Sequence, residues 1–473
     1  MINGAATRSL VLAGGGMRVA WQAGAMLALE EAGLTFDHLD GASGGIMNTA
    51  ATLSGVTPAS LCERWSTLQV RKFASPLPLL LYRKAPNLPA LGDADGVIHH
   101  VFPQLGIDVA KIRACNQPVA TFNVCNFDDK VSIAIPNHEV TLDHLVAGMS
   151  LPIAMPAVRH DGVTWTDAVW IRDANLMEGV RRGSEEIWVL WCIGNTTRYG
   201  EGPLEQYVHM IEMSAVGSLN EELRAIGEHN RRAERPVRVH MIKPLHPLPL
   251  DPDFFLGRID AHTLVSMGYR DARRYLEHRT PNGIALDVSA TKMDEAPLGV
   301  RFRDRTTGSL QGEDADMRLA GPIALRIGAE LHDIEALARG ERNSAPLVGS
   351  VRFNKRGVTR YFSSGRVEVQ RDKAGRGLRY TASFDMDGAT FRLAASRYFD
   401  THGHVLHRIL SGLSLIETSI EDADSGGACA TGYLHASAPD MLRMVFSVEP
   451  SAAHGLTDRV RAVKALGRVV GVR

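Results

Sequence analysis

Cysteine is scarce in this chain: five residues in 473, at Cys62, Cys115, Cys125, Cys192 and Cys429. They are scattered, odd in number and never spaced C-x-x-C. That excludes a zinc knuckle and a disulfide framework, and points to reduced thiols in a cytoplasmic compartment. Long apolar runs are also missing. No stretch approaches the roughly 20 residues that span a bilayer, and no basic segment precedes the first apolar run, so a secretory signal is not expected. Charge is balanced, with a formal net of −1, which removes the bulk attraction that draws proteins to nucleic acid. No H-E-x-x-H or comparable ligand spacing occurs, so neither a metal nor a cofactor is expected.

What is present is a chain too long for one ordinary core, 45% hydrophobic and 22% charged, which predicts two globular domains. One stretch organises it, Ser9 to Asn48. A short apolar run, Leu10 to Ala13, suits a buried strand. Gly14, Gly15 and Gly16 follow, then Met17 and Arg18. The helical stretch Val19 to Ala32 stops at Gly33. A second strand-like piece ends in Gly41-Ala42-Ser43-Gly44-Gly45, which fits G-x-S-x-G, the tight strand-to-helix turn that exposes a serine hydroxyl. A serine nucleophile needs backbone N–H groups aimed at the oxygen that becomes negative during attack. A glycine-rich loop between strand and helix offers such donors with no side chains in the way.

G-G-G-M-R followed by G-A-S-G-G resembles the patatin-like phospholipase family, whose first motif is G-G-G-x-R/K-G and whose second is G-x-S-x-G. The likeness extends through the connecting helix and the L-E-E-A-G-L that ends it. Val19 departs from the pattern, standing where the family has glycine. A third family motif is similar to SLPIAMPAVRHDGVTWTDAVW, with Pro152, Pro156, Gly162, Trp165 and Asp167 in register, although Ala168-Val169 replaces the usual glycine pair. The resemblance implies an α/β fold, a mainly parallel sheet with helices on both faces. It also implies a Ser–Asp dyad of Ser43 and Asp167, and an oxyanion hole from Gly14, Gly15, Gly16 and Arg18.

Taken in order, the chain supports that class. Thr57 caps a helix to Gln69, with Pro58 at its first position. Arg71 to Leu91 brings together Leu77, Leu79, Leu80, Leu81 and Tyr82 between two basic pairs. Two readings of it stand: leucines packed on the core, or peripheral contact with a membrane or lipid-droplet surface. Pro118 to Phe127 and the following KVSIAI read as neighbouring strands, and Thr141 caps a short helix. Strands at 187–193 and 237–244 alternate with helices at 204–232 and 261–279, as a sheet covered on both faces requires.

The second half has another texture. Pro297 to Gly321 is polar and glycine-studded. Beyond it lie short alternating segments, among them GSVRF, TRYFSSGRVEVQ, LRYTASFDM, TFRLAASRYF, ATGYLHAS and LRMVFSVEP, divided by turn signals such as Asp387-Gly388. This predicts an antiparallel β-sandwich or barrel closed by a terminal helix over 456–468. VGSVRF and the D-G-linked strands resemble a β-rich accessory segment of cholesterol-oxidase-like flavoproteins. The expected organisation is residues 1–280 as the patatin-like domain, 281–316 as linker and 317–473 as a β-rich accessory domain.

A serine hydroxyl is a poor nucleophile until a base takes its proton. In the resembled family a carboxylate does this directly, so none of the 18 histidines is required; His138, His144 and His160 read as surface or packing residues. Arg18 has two readings: it reinforces the oxyanion loop or binds an anionic headgroup, or it only pins that loop by pairing with an acid. Asp173, heading D-A-N-L, reads as an N-cap for the helix through Arg182. The function expected is hydrolysis of a lipid ester substrate. The alternatives are a lipid-binding or scaffolding protein on the same fold, or acyl transfer to an acceptor other than water.

Overall fold

The structure is a computed structural model that describes residues 6–69, 75, 88–194, 196, 199–249, 259–312, 318–372, 375–399, 415–453 and 455–470. Most of the leucine-rich stretch 71–91, including Leu77 to Tyr82, lies outside the described residues. The chain divides into two compact units, Met1–Leu256 with Asp260–Asp294, and Gly257–Ile259 with Glu295–Arg473.

In the first unit, eight strands form one sheet: β1 (Arg8–Leu12), β2 (His38–Ala42), β3 (Val119–Asn126), β4 (Val131–Pro136), β5 (Val158–His160), β6 (Val163–Asp167), β7 (Glu186–Leu190) and β8 (Arg238–Ile242). Their order is β5-β6-β3-β2-β1-β7-β8, with β4 also on β3. The run β3-β2-β1-β7-β8 is parallel, and β4 and β6 pair with β3 antiparallel. Its helices include α1 (Ala20–Glu31), α2 (Gly45–Leu53), α3 (Pro58–Thr67), α4 (Leu176–Arg181), α5 (Pro203–Asn230) and α6 (Ala261–His278).

Central parallel strands need apolar side chains on both faces, and Leu10, Val11, Leu12, Val189 and Leu190 are all buried. On one face, Ala215, Leu219, Leu223 and Ile226 of α5 pack over Val11, Val189 and Val239. Residues Ala20 to Leu29 of α1 are buried on every side, because α3 and α6 both pack against it. A helix so enclosed has no polar face, which is why its sequence reads AWQAGAMLAL.

The second unit is a closed antiparallel barrel. Its strands are β9 (Gly299–Gly312), β10 (Gly321–Leu331), β11 (Ser344–Phe353), β12 (Val358–Tyr361), β13 (Ser364–Asp372), β14 (Gly375–Met386), β15 (Ala389–Phe399), β16 (Leu415–Asp422), β17 (Ala428–His435) and β18 (Glu449–Ser451). The ring runs β9-β10-β11-β13-β14-β15-β16-β17, with β12 paired to β11 beside it, and β9 closes it by pairing with both β10 and β17. Helix α7 (Ile334–Arg339) lies between β10 and β11. Two further helices, α8 (Ala438–Phe446) and α9 (Leu456–Val470), follow β17. Alternate residues point inward, as in Leu378, Tyr380, Ala382, Phe384 and Met386 of β14 and Phe391, Leu393 and Ala395 of β15.

Two expectations are corrected here. Residues 299–312, within the stretch read as a linker, form the strand that closes the barrel. Its inward positions alternate Val300, Phe302, Asp304 and Thr306, all buried, against outward arginines. The charged Asp304 hides the period because its partners lie far off in sequence. Arg397 Nη2 donates to it at 2.7 Å and the Tyr380 hydroxyl at 3.2 Å. The segment LRMVFSVEP, read as a strand, lies largely in α8. Ser437 caps that helix by accepting the Asp440 N–H at 3.3 Å, with Pro439 in its first turn.

Candidate active site

Strand β2 is buried at every residue and runs straight into α2 through Ser43 and Gly44. Ser43 has φ 47°, a left-handed conformation that costs a residue with a Cβ and persists only where its surroundings enforce it. They do so through close packing. A Cβ on Gly45 would stand 2.0 Å from the Leu12 carbonyl oxygen, and one on Gly44 2.6 Å from that of Gly16. Only glycine fits on the helix side of the serine.

Sheet order brings the carboxylate to this turn. Ala42 of β2 is level with Asn123 of β3, and Val124 of β3 with Asp167 of β6. Ser43 and Asp167 therefore emerge at the same height across one intervening strand. The Ser43 hydroxyl donates to Asp167 Oδ2 at 2.7 Å, and the Val169 N–H donates to Oδ1 at 2.9 Å. Asp167 is 1% exposed. Burial raises its pKa to about 7 against the opposing pull of those two hydrogen bonds. A carboxyl placed there exchanges its proton near neutrality and lies within one hydrogen bond of the serine hydroxyl.

The glycine loop leaves β1 and folds over the serine. Gly15 and Gly16 have φ 146° and 57°. Their amides meet no acceptor among the described residues, whereas the Gly14 N–H donates to Asp173 Oδ2 at 3.0 Å. Three other side chains fix the loop. Arg18, buried, donates to the Gly15 carbonyl from Nε at 3.0 Å, and Cys192 Sγ donates to the Gly14 carbonyl at 3.1 Å. Asn48 Nδ2 donates to the Val19 carbonyl at 2.9 Å. Asp173 is fully buried, with its pKa raised to about 8 first by burial and then by Asp167.

The reading of Asp173 as a helix cap is therefore corrected. Helix α4 begins at Leu176 with Asn175 at its N-cap, and the Asp173 carboxylate is drawn to the glycine loop instead. Sequence reasoning missed this role, as it missed those of Cys192 and Asn48. The one signal for Asp173 and Asn48 is a polar residue set among apolar or small ones. Gly14 likewise differs from the expectation, since its amide is already taken. What it provides is closeness, a Cβ there falling 2.2 Å from Asp173 Oδ1 and 2.8 Å from Ser43 Cβ.

A family model described as patatin-like phospholipase matches residues 10–179, a span holding the glycine loop, the elbow, Asp167 and Asp173. Residues 10–179 are a patatin-like phospholipase domain. No curated protein sequence matches the chain. Among solved structures, VipD from Legionella pneumophila is similar at 13% identity and TM-score 0.33, over 57% of this chain and 67% of that one. The type III effector ExoU is similar at 13% identity and TM-score 0.22, over 61% of this chain and 77% of that one. The likeness of the second half to oxidase accessory segments finds no support in these comparisons.

Within the patatin-like domain, the three departures from the family motifs are absorbed by packing. Val19 is fully buried, its Cγ1 2.8 Å from where a Gly44 Cβ would stand. Ala168 and Val169 are buried too, and the Val169 N–H that steadies Asp167 belongs to the backbone. The histidines near the third motif are engaged elsewhere: His144 in the capping box with Thr141, His160 with Asp143 at 2.9 Å and His138 with Glu139 at 3.2 Å. The segments bonded to the Val169–Trp170 turn carry exposed apolar side chains. Trp170, next to Val169, packs on Tyr207, whose hydroxyl donates to the Pro152 carbonyl. The neighbouring Ile153 is exposed with φ 73°, its carbonyl accepting the Leu91 N–H at 2.8 Å. Leu91, Met210 and Met213 are exposed as well.

Proposed function

We propose that the patatin-like domain is a serine-dependent lipid acyl hydrolase in which Ser43 is the nucleophile and Asp167 the general base. The observation that carries this reading is the 2.7 Å hydrogen bond from the Ser43 hydroxyl to a fully buried carboxylate. Ser43 Oγ attacks the ester carbonyl carbon as its proton passes to Asp167 Oδ2. The carbonyl oxygen takes up the negative charge against the Gly15 and Gly16 amides, with Arg18 holding that loop in place. Collapse of the tetrahedral adduct breaks the ester C–O bond, and the leaving alkoxide receives the proton from Asp167. Water then attacks the acyl-serine, giving a proton to Asp167. The acid departs and Ser43 recovers its proton. The patatin-like phospholipase match over residues 10–179 supports a lipid ester as the substrate.

The test is covalent labelling by a fluorophosphonate, combined with hydrolysis assays over phospholipids, neutral glycerides and steryl esters. Wild type is labelled at Ser43 and hydrolyses at least one class. Ser43→Ala is neither labelled nor active, although it unfolds at the same temperature. A wild-type chain that leaves Ser43 unlabelled and hydrolyses none of the panel would favour a lipid-binding protein on the same fold.

A further inference from the structure

Helices packed on a globular core carry one apolar stripe and one polar face. Helix α9 carries two apolar stripes. Ala462, Ala465 and Val469, spaced i, i+3 and i+7, are buried, while Leu456, Val460 and Val463, spaced i, i+4 and i+7, are exposed, Leu456 by 78%. At 100° per residue the second stripe lies on the side away from the first. Arg459 borders it on one side and Lys464 and Arg468 on the other. The whole helix carries four basic residues against Asp458 alone.

Helix α8 repeats the arrangement. Met444 faces the core, and Leu442, Val445 and Phe446, spaced i, i+3 and i+4, face solvent, Phe446 by 83%. Both helices lie on one flank of the barrel: α8 packs on β9, and α9 packs on β9 and β18. The link between them is short and contains β18, which itself pairs with residues 299–301 of β9. Seven large apolar side chains are thus exposed within residues 442–463, counting Val448. Single exposed apolar residues are ordinary on a protein surface; a cluster of this kind marks a contact.

We propose that the outward faces of α8 and α9 are the surface by which the second unit settles on an anionic phospholipid bilayer. Cations bordering an apolar stripe on both sides place positive charge at the level of lipid phosphates when the stripe enters the acyl boundary. Phe446 and Leu456 are the deepest anchors. The surface owes nothing to the dyad and holds whether or not the first unit is a hydrolase.

The experiment is vesicle co-sedimentation of the full chain, using Ser43→Ala so that lipid is not consumed. Vesicles are either phosphatidylcholine alone or phosphatidylcholine with about one-third phosphatidylglycerol. The mixed vesicles should bind about tenfold more tightly, and added salt should reduce the difference. Phe446→Ser with Val463→Ser should weaken binding about tenfold or more, with the melting temperature unchanged. Arg459→Glu with Lys464→Glu, both at exposed positions, should abolish the preference for phosphatidylglycerol, and decides the matter if the serine variant does not fold. Equal binding of both vesicles by every variant overturns the proposal. So does a serine variant that passes from oligomer to monomer, since the stripe would then be covered by a second copy; where the serine variant melts lower, the charge-reversal variant decides, and its keeping the preference for phosphatidylglycerol overturns the proposal.

Discussion

At the scale of single residues, the site turns on buried carboxyls whose protons are held to unusually high pH. Asp167 must be ionised to act as base, and its pKa is raised to about 7. Turnover of a soluble short-chain ester should therefore rise with pH and reach half its plateau near that value. Asp167→Asn should lower turnover by roughly 10²–10⁴-fold and remove that limb; a full pH profile of both proteins is the check. Stability should run the other way. Asp40, Asp167 and Asp173 titrate at about 7, 7 and 8 when folded, against 3.8 ordinarily. The folded state binds more protons between those limits, so their contribution is complete below 3.8 and is lost as pH rises to about 8. His38 and His240, lowered by burial from 6.5 to about 3 and 4, oppose this only below 6.5. Between pH 6.5 and 8 the melting temperature should fall while turnover rises, and Asp173→Asn should flatten part of that fall. A melting temperature that climbs over this window would mean that these carboxyls are ionised in the folded protein throughout.

Among elements, the glycine loop is the part whose position is set by other segments. Asp173 holds it through the Gly14 N–H. Asp173→Ala should cut kcat toward a soluble ester by up to about 10²-fold, the scale of a one-ångström misplacement, with KM nearly unchanged. Asp173→Asn keeps an oxygen that can accept the same N–H, and should recover most of the rate. An alanine variant with wild-type kcat would show that Arg18 and Cys192 hold the loop without it. These elements also divide what the sequence displays from what it conceals. The strands and helices of the patatin-like domain are legible because each carries its own period, its own cap or its own glycine. Thr57 caps α3 at 3.3 Å, and Gly33 sits past α1 with φ 73°. The pairing of Ser43 with Asp167 is legible because motif spacing stands in for tertiary geometry. Asp173 was misread because its partner lies 159 residues away, β9 because Asp304 is neutralised by Arg397 from another strand, and α8 because its exposed face is apolar. In each case the deciding contact is long-range, or the face turned to solvent breaks the usual pattern.

For the whole molecule, the question is how far each unit stands alone. Ser43, Asp167, Asp173 and the glycine loop all precede Glu295, and the apolar cluster under α5 runs only as far as Met293. The barrel's cluster draws its members from Val300 to Val469, and β9 closes its ring on both sides. A closed ring leaves few strand edges to pair with other chains. A chain ending at Asp294 should accordingly fold and hydrolyse a soluble short-chain ester within a few-fold of the full-length rate. The same chain should bind anionic vesicles more weakly than the full protein, because it lacks Phe446 and the α9 stripe. The two readouts separate two roles for the second unit. Loss of vesicle binding alone identifies it as the part that delivers the domain to its substrate surface. Loss of soluble-ester turnover in a folded, soluble fragment would instead show that residues beyond 294 complete the site, and the Ser43–Asp167 dyad could then no longer be treated as sufficient.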